Sequence, residues 1–231
     1  MTTPPRAPMA AVGEMYLVHT MLRREFGLLP DLIRAADRND AKRRALIGAH
    51  TQLLCQILHV HHEGEDLVLW PLLLERAEAE ATQIVAVMEQ QHRAIAAAHD
   101  DAVHRLGDWC GFGRDAEGFA TVLDDLVRVL TEHTALEEKA VLPLAEKYVT
   151  AAEWAQMGQH GIDTFPKRLL PLAFGMLMYE GDPAVMRRTL SHAPLPARLL
   201  IPIIASRAFS RHARRVYGTS TPPKITSTTM S

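Results

Sequence analysis

The spacing of hydrophobic residues predicts four long helices in the first two thirds of the chain. In each of four segments the apolar positions recur at alternating steps of three and four residues, which places them on one face of an α-helix. No segment alternates with the period of two that is typical of a strand. These four apolar seams are Val12, Met15, His19, Leu22, Phe26, Leu29 and Ile33; Ile47, His50, Leu54, Ile57, His61, Glu65, Val68 and Leu72; Val85, Met88, His92, Ile95, His99, Ala102 and Leu106; and Phe119, Leu123, Leu126, Leu130, His133, Glu137, Val141 and Leu144. The pattern therefore predicts an all-α fold.

The turn signals between the seams predict an up-down-up-down four-helix bundle. Residues 37–40 (Asp-Arg-Asn-Asp) supply turn and N-cap side chains between the first two helices. Residues 111–115, which include two glycines, separate the third helix from the fourth. The middle boundary falls near Ala77, where neither glycine nor proline marks a turn. We expect short connections and antiparallel neighbours throughout.

Histidines in the four seams are expected to lie at one level of this bundle. Residues at the same height in a hairpin lie equally far from the turn that joins their helices. His19 and His61 are 42 residues apart around the first turn, and His92 and His133 are 41 apart around the last. The two hairpins therefore predict a site with approximate two-fold symmetry.

Two of the seams carry the same arrangement of a histidine followed four residues later by a glutamate. His61 precedes Glu65, His133 precedes Glu137, and in both segments a proline stands six residues after the glutamate and is expected to kink or end the helix. Residues four apart stack on one helix face about 6 Å apart along the axis. Two facing pairs of this kind form a cage for two metal ions, since bare charge in a core is costly unless it is paired or metal-bound. The six candidate metal ligands are His19, His61, Glu65, His92, His133 and Glu137.

Several polar neighbours leave alternatives open. His62 and Asp66 are also four residues apart, so His62 is a candidate additional ligand, although the seam favours the preceding pair. Asp66 and Glu138 are better placed as acceptors that orient a ligating imidazole. His50 and His99 are interpreted as hydrogen-bonded core residues, with His99 a candidate for lining an access path.

Composition excludes several classes of protein. The chain has 231 residues and a net charge of −2, which gives no reason to expect a nucleic-acid partner. We find no secretory signal at the N-terminus and no apolar run of the roughly 18 residues that a membrane span needs. Two cysteines are too few for a disulfide framework or a zinc–thiolate site. We expect a cytoplasmic protein with no transmembrane segment.

The pattern changes after Tyr148. Residues 1–149 are predicted to form the bundle, residues 150–217 a helical extension packed on it, and residues 218–231 a disordered tail. A capping box at residues 150–153 opens the extension, and no acidic residue follows Asp182. Further helices are expected at residues 166–179, 183–190 and 196–217. The basic last helix is interpreted as a solvated face on the bundle; contact with an anionic surface is the alternative.

Taken together, these motifs resemble the hemerythrin-like family, whose domain is a four-helix bundle with a non-haem di-iron centre. The resemblance covers roughly residues 12–148 and rests on His19, "HHEGEDLVLWPLL", Gln91-His92-Arg93 and "HTALEEKAVLPL". It implies that His19 and His61 bind one iron, that His92 and His133 bind the other, and that Glu65 and Glu137 bridge them. An oxo or hydroxo bridge is expected as well. Imidazole and carboxylate donors alone do not exclude manganese or zinc.

One departure from the family pattern bears on function. The oxygen carriers have two histidines four apart on the third helix, whereas His92 has Met88 and Ala96 at those positions. The likeness is therefore closer to bacterial hemerythrin-like proteins linked with peroxide or nitric oxide. We expect catalase- or peroxidase-like handling of these small molecules. The alternatives are a non-catalytic sensor or reservoir for oxygen, nitric oxide or iron, and a purely structural bundle.

Overall fold

The structure is a computed structural model that describes residues 7–191 and 195–224. Among these residues there is no β-strand, only an isolated bridge between Met9 and Thr150. Within the same ranges no helix is both long enough and apolar enough to cross a bilayer. The α-helices are α1 (Gly13–Arg34), α2 (Ala41–Gly64), α3 (Trp70–Arg76), α4 (Glu78–Phe112), α5 (Ala116–Ala140), α6 (Leu142–Tyr148), α7 (Ala151–Thr164), α8 (Leu170–Glu180), α9 (Pro183–Leu190) and α10 (Leu195–Tyr217). This confirms the predicted all-α bundle with additional C-terminal helices.

The four long helices α1, α2, α4 and α5 form the bundle. Helix α1 packs against α2 and α5, and α4 packs against the same two helices. Phe26, Leu54, Ile95 and Leu126, one from each seam, are no more than 1% exposed. Burying a side chain of this size contributes about 1.5–3 kcal/mol. The apolar seams therefore hold the helices together, as their spacing predicted.

The connections follow the local chemistry of the chain. The side chains of Asp40 and Asp115 accept hydrogen bonds from backbone amides in the first turns of α2 and α5. Gly113 takes φ 65° after α4, a conformation that favours glycine because it has no Cβ. Ala77 alone links α3 to α4, so the weakly marked middle boundary lies where it was predicted.

The two prolines change the helices in different ways. Pro71 lacks an amide hydrogen, so it cannot bond to the Leu67 carbonyl in the α-helical pattern. Residues Glu65–Leu69 form a π-helical turn there, and α3 follows directly from Trp70. Pro143 stands at the start of α6, just beyond the end of α5 at Ala140. The second interruption thus lies beyond its histidine–glutamate pair, whereas the first already begins at Glu65.

The C-terminal helices cover one side of the bundle. Helix α7 packs on α2, α8 on α1 and α10, α9 on α1, and α10 on α2. The predicted capping box is present, with the Thr150 and Glu153 side chains each accepting from the other's backbone amide. A Cβ at Gly175 would collide with the Ala205 carbonyl, so glycine permits the close crossing of α8 and α10. The division into a domain at residues 1–149 and an extension at 150–217 remains a prediction.

A buried polar cluster fixes the end of α10 to the bundle. The Tyr217 hydroxyl donates to Glu25 Oε2 at 2.5 Å and lies 2.8 Å from His50 Nε2. His50 Nδ1 lies 3.1 Å from His212 Nε2, and Arg24 Nε donates to Glu25 Oε1 at 2.9 Å. This confirms that His50 is a hydrogen-bonded core residue. We call Arg24, Glu25, His50, His212 and Tyr217 the anchor cluster.

The segment that follows α10 was predicted to be disordered over residues 218–231. The structure describes residues 218–224 of it, and the remaining residues lie outside the described ranges. Tyr179 Oη donates to the Pro222 carbonyl at 2.7 Å, and Lys224 Nζ lies 4.8 Å from the centre of the Tyr179 ring. The described part of the segment therefore packs against α8.

Candidate metal centre

The structure brings all six predicted ligands together and adds His62. They come from the four bundle helices and the π-helical turn, and they fall into two groups of possible ligand atoms. Every atom in a group lies within 4.8 Å of the others. The first group is His19, His61, Glu65 and Glu137, and the second is His62, Glu65, His92 and His133. Glu65 belongs to both.

Helical rotation explains why Glu65 lies between two adjacent histidines. An α-helix turns about 100° per residue, so His62 points about 100° away from His61, and Glu65 falls roughly 40° round from His61 towards His62. His61 therefore joins His19 on one side, while the ring of His62 stacks on that of His92 at a centroid distance of 4.0 Å. The π-helical turn begins at Glu65, and such turns are frequent at functional sites. Two neighbouring histidines on one helix can thus serve two different ions.

The donor atoms stand at the separation that a shared ion requires. His61 Nε2 lies 3.2 Å from Glu65 Oε1, His92 Nε2 lies 3.3 Å from Glu65 Oε2, and His19 Nε2 lies 3.2 Å from Glu137 Oε2. Two donors about 2.1 Å from one ion, at roughly 100° to each other, would be about 3.2 Å apart.

None of these inward-facing donor atoms has a hydrogen-bond partner. They are Nε2 of His19, His61, His62, His92 and His133 and both carboxylate oxygens of Glu65 and Glu137. Buried polar atoms are nearly always paired, because leaving one unpaired costs about 1–3 kcal/mol. The seven side chains fit a pair of metal ions, since imidazole nitrogens and carboxylate oxygens are the donors that iron, manganese and zinc accept.

The outer nitrogens of three histidines are held by neighbouring side chains. His19 Nδ1 lies 3.0 Å from Glu138 Oε1, and His92 Nδ1 lies 2.8 Å from Asp66 Oδ1. Gln91 Oε1 plays the same part for His133 Nδ1 at 3.1 Å. These contacts assign the proton to Nδ1 and leave Nε2 free to face the centre. Asp66 and Glu138 thus occupy the positions predicted for orienting acceptors, whereas Gln91 was noticed only as part of the family motif.

Other side chains in turn hold Glu138 and Asp66 in place. Arg23 donates to Glu138 at 2.9 Å, and Trp70 Nε1 donates to Asp66 at 2.8 Å. Trp70 therefore holds a side chain that orients an imidazole of the site.

Burial disfavours charge in this centre. It raises the pKa of Glu65 well above its usual value, and the neighbouring carboxylate of Glu137 adds to the effect. Burial likewise lowers the pKa of His61 and His62 well below the usual value, and lowers that of His133 to about 3. Burial opposes protonation of His19 too, but Glu137 and Glu138 outweigh it and leave its pKa raised. Two fully buried carboxylates are stabilised by cations.

A groove of about 910 Å³ leads from the surface to one side of the centre. His62, Asp66, Trp70, His92 and His99 are among its lining residues. The prediction that His99 is a core residue is wrong, because its side chain is 25% exposed and contacts Asp100. Its place in the groove agrees with the alternative that it lines an access path.

Comparison with known proteins agrees with this geometry. The family model described as the hemerythrin HHE cation binding domain matches residues 10–145. The chain belongs to the hemerythrin HHE family. Searches of curated proteins and of solved structures returned no match. The hemerythrin match covers the bundle and all seven side chains of the centre, while α7 to α10 lie outside it.

Proposed function

We propose that the protein is a non-haem di-iron protein in which seven side chains hold two iron ions. His19, His61 and Glu137 would bind one ion, His62, His92 and His133 the other, and Glu65 both. The observation that carries the proposal is the set of buried donor atoms without hydrogen-bond partners around a common centre. Manganese and zinc are the competing metals, because they accept the same donors.

The proposal revises the ligand set that the family resemblance implied. Glu65 lies in both groups, as expected of a bridging residue, whereas Glu137 lies only in the first. His62 completes the second group, so a histidine from α2 stands in for the one missing beside His92 on α4. The lack of a second histidine on the third helix therefore does not by itself leave an open ligand position.

We propose peroxide disproportionation as the reaction, in which two hydrogen peroxide molecules give one dioxygen and two waters. Iron ions would supply the electron transfer when bound. The chain's own residues hold the ions, exclude bulk water through the buried walls of the bundle, and admit a small molecule along the groove beside His62 and His92. A cytoplasmic location is proposed as well, since both cysteines are free.

Oxygen evolution tests this reaction. Iron-loaded protein mixed with peroxide should release oxygen faster than an equal amount of free iron, and metal-free protein should release none. No excess over free iron would overturn the enzymatic proposal. A stable spectral change with nitric oxide or dioxygen but no turnover would instead favour the sensor or reservoir.

Substitution of His62 tests the revised ligand set. His62→Ala is expected to lower bound iron from about two to about one per chain, because it removes one donor from the second group only. His59→Ala, an exposed histidine on the same helix, is the matched control and should keep both ions. Metal analysis after gel filtration measures the result. If His62→Ala still binds two iron ions, His62 is not a ligand and only packs against its neighbours.

A further inference from the structure

The outward face of α10 changes character along its length. Its first half presents Leu199, Leu200, Ile203 and Ile204, which are 70%, 53%, 48% and 51% exposed. One turn further on, the same side of the helix presents exposed arginines instead. They are Arg207, Arg211, Arg214 and Arg215. We call these eight residues the outer face of α10.

The opposite side of α10 is buried against the rest of the protein. Ala205, Phe209, Ala213 and Val216 are buried, and the helix packs on α8 and α2. Arg43 also donates to the carbonyls of residues 215 and 216 at 2.9 and 2.6 Å. The helix therefore cannot rotate to bury its outer leucines and isoleucines without losing these contacts.

The arginines of α10 have no counterion within the described structure. Residues 183–217 contain seven arginines and no acidic residue, although the whole chain carries a net charge of −2. Among the salt bridges formed by the described residues, none involves an arginine of α10. The outer face thus combines exposed hydrocarbon with unpaired positive charge.

A bilayer surface offers partners for both halves of this face. Hydrocarbon lies just below the plane of the lipid phosphates, and basic side chains near an anionic surface gain attraction from it. Arginine also keeps its guanidinium at the phosphates while its methylene groups lie along apolar surface. We propose that the outer face of α10 docks the protein onto membranes that contain anionic lipids. This inference does not depend on the metal or on the proposed reaction.

Vesicle flotation with the full-length, metal-loaded protein tests the docking. The protein should float with vesicles of phosphatidylcholine and phosphatidylglycerol, and far less with phosphatidylcholine alone. Raised salt should weaken the binding, because it screens the charges. Binding to neither vesicle, or equally to both, would overturn the proposal.

Two double variants separate the halves of the face. Arg211→Gln with Arg215→Gln should weaken binding by about 25-fold, from roughly fivefold for each arginine. Leu199→Ser with Ile203→Ser should weaken it at least about tenfold, because exposed apolar side chains no longer enter the bilayer. Arg128→Gln with Lys139→Gln removes the same charge from α5 and should leave binding nearly unchanged. Equal losses in this control would mean that net charge alone is responsible and would contradict the proposal.

Self-association is the competing explanation for the apolar half. Sedimentation of the wild type and of Leu199→Ser with Ile203→Ser, without vesicles, distinguishes it. If the wild type forms dimers that this variant abolishes, and neither floats with vesicles, the face joins two copies of the chain and the membrane proposal fails. Unchanged melting temperatures show that the variants remain folded.

Discussion

Glu65→Ala is expected to remove both metal ions, the largest functional effect of any single substitution in the chain. Glu65 is the one side chain that belongs to both groups of donors, so its loss leaves each ion short of a ligand. Bound iron should fall from about two per chain to well below one. Metal analysis after loading and gel filtration measures this directly. Retention of both ions would show that Glu65 does not bridge them.

Stability provides an independent readout of the same substitution. A ligand at 100 times its Kd stabilises a native protein by about 2.7 kcal/mol, so loaded wild type should melt well above metal-free protein. Glu65→Ala should lose this difference, and Glu89→Ala, an exposed glutamate beside the groove, should keep it. Glu65→Gln keeps the shape without the charge, so its metal-free form should be no less stable than metal-free wild type. A bundle kept only for its packing would show no stabilisation by metal.

Glu25→Ala is expected to destabilise the protein by about 3–5 kcal/mol, because it removes one of the two carboxylates that pair with the buried Arg24. Glu25 is completely buried and also accepts from Tyr217 and faces His50 at 3.2 Å. Arg24 would keep only Glu180, whose carboxylate lies 3.3 Å away. Urea unfolding measures the change. Tyr217→Phe removes a single donor from the anchor cluster and should cost about 1 kcal/mol. This variant should remain folded even if Glu25→Ala is too unstable to fold.

An exposed ion pair supplies the control for this prediction. Glu117→Ala removes a carboxylate that binds Arg34 on the bundle surface, and it should cost less than about 1 kcal/mol. If Glu25→Ala is no more damaging than Glu117→Ala, the anchor cluster contributes little to stability.

The same carboxylate gives the protein a defined sensitivity to acid. Burial by itself would raise the pKa of Glu25, but hydrogen bonds from His50 and Tyr217 and the charge of Arg24 lower it from 4.5 to about 2. A lowered pKa in the folded state stabilises the protein above the unfolded value, and the gain is lost as pH falls from 4.5 towards 2. A shift of this size corresponds to about 3 kcal/mol. Glu25→Gln should therefore lose less stability than wild type over that interval.

Local periodicity made the bundle helices and the level of the site predictable from the sequence. A helix buries a stripe of side chains at steps of three and four, so the seams gave the four bundle helices and the equal hairpin lengths gave the common level of the histidines. His62 could not be assigned in this way. The sequence contains two overlapping pairs four residues apart, His61 with Glu65 and His62 with Asp66. A single apolar seam favours only one of them. Only the packed bundle shows that the two adjacent histidines face opposite sides of Glu65.

The hydrophobic pattern could not predict contacts between distant segments of the chain. Tyr217 and Glu25 are 192 residues apart, and nothing in the spacing of α10 says which histidine or carboxylate it meets. The sequence likewise showed that α10 is basic and amphipathic, but not that its leucines and isoleucines would remain exposed.

By itself the sequence determined the bundle helices, the six inward-facing candidate ligands and the family, because each depends on side chains a few residues apart on one helix face. The tertiary structure alone decided the role open to His62, the anchor cluster and the exposed face of α10. These depend on which helices pack together and at what rotation, and that is set by the whole core rather than by any one segment.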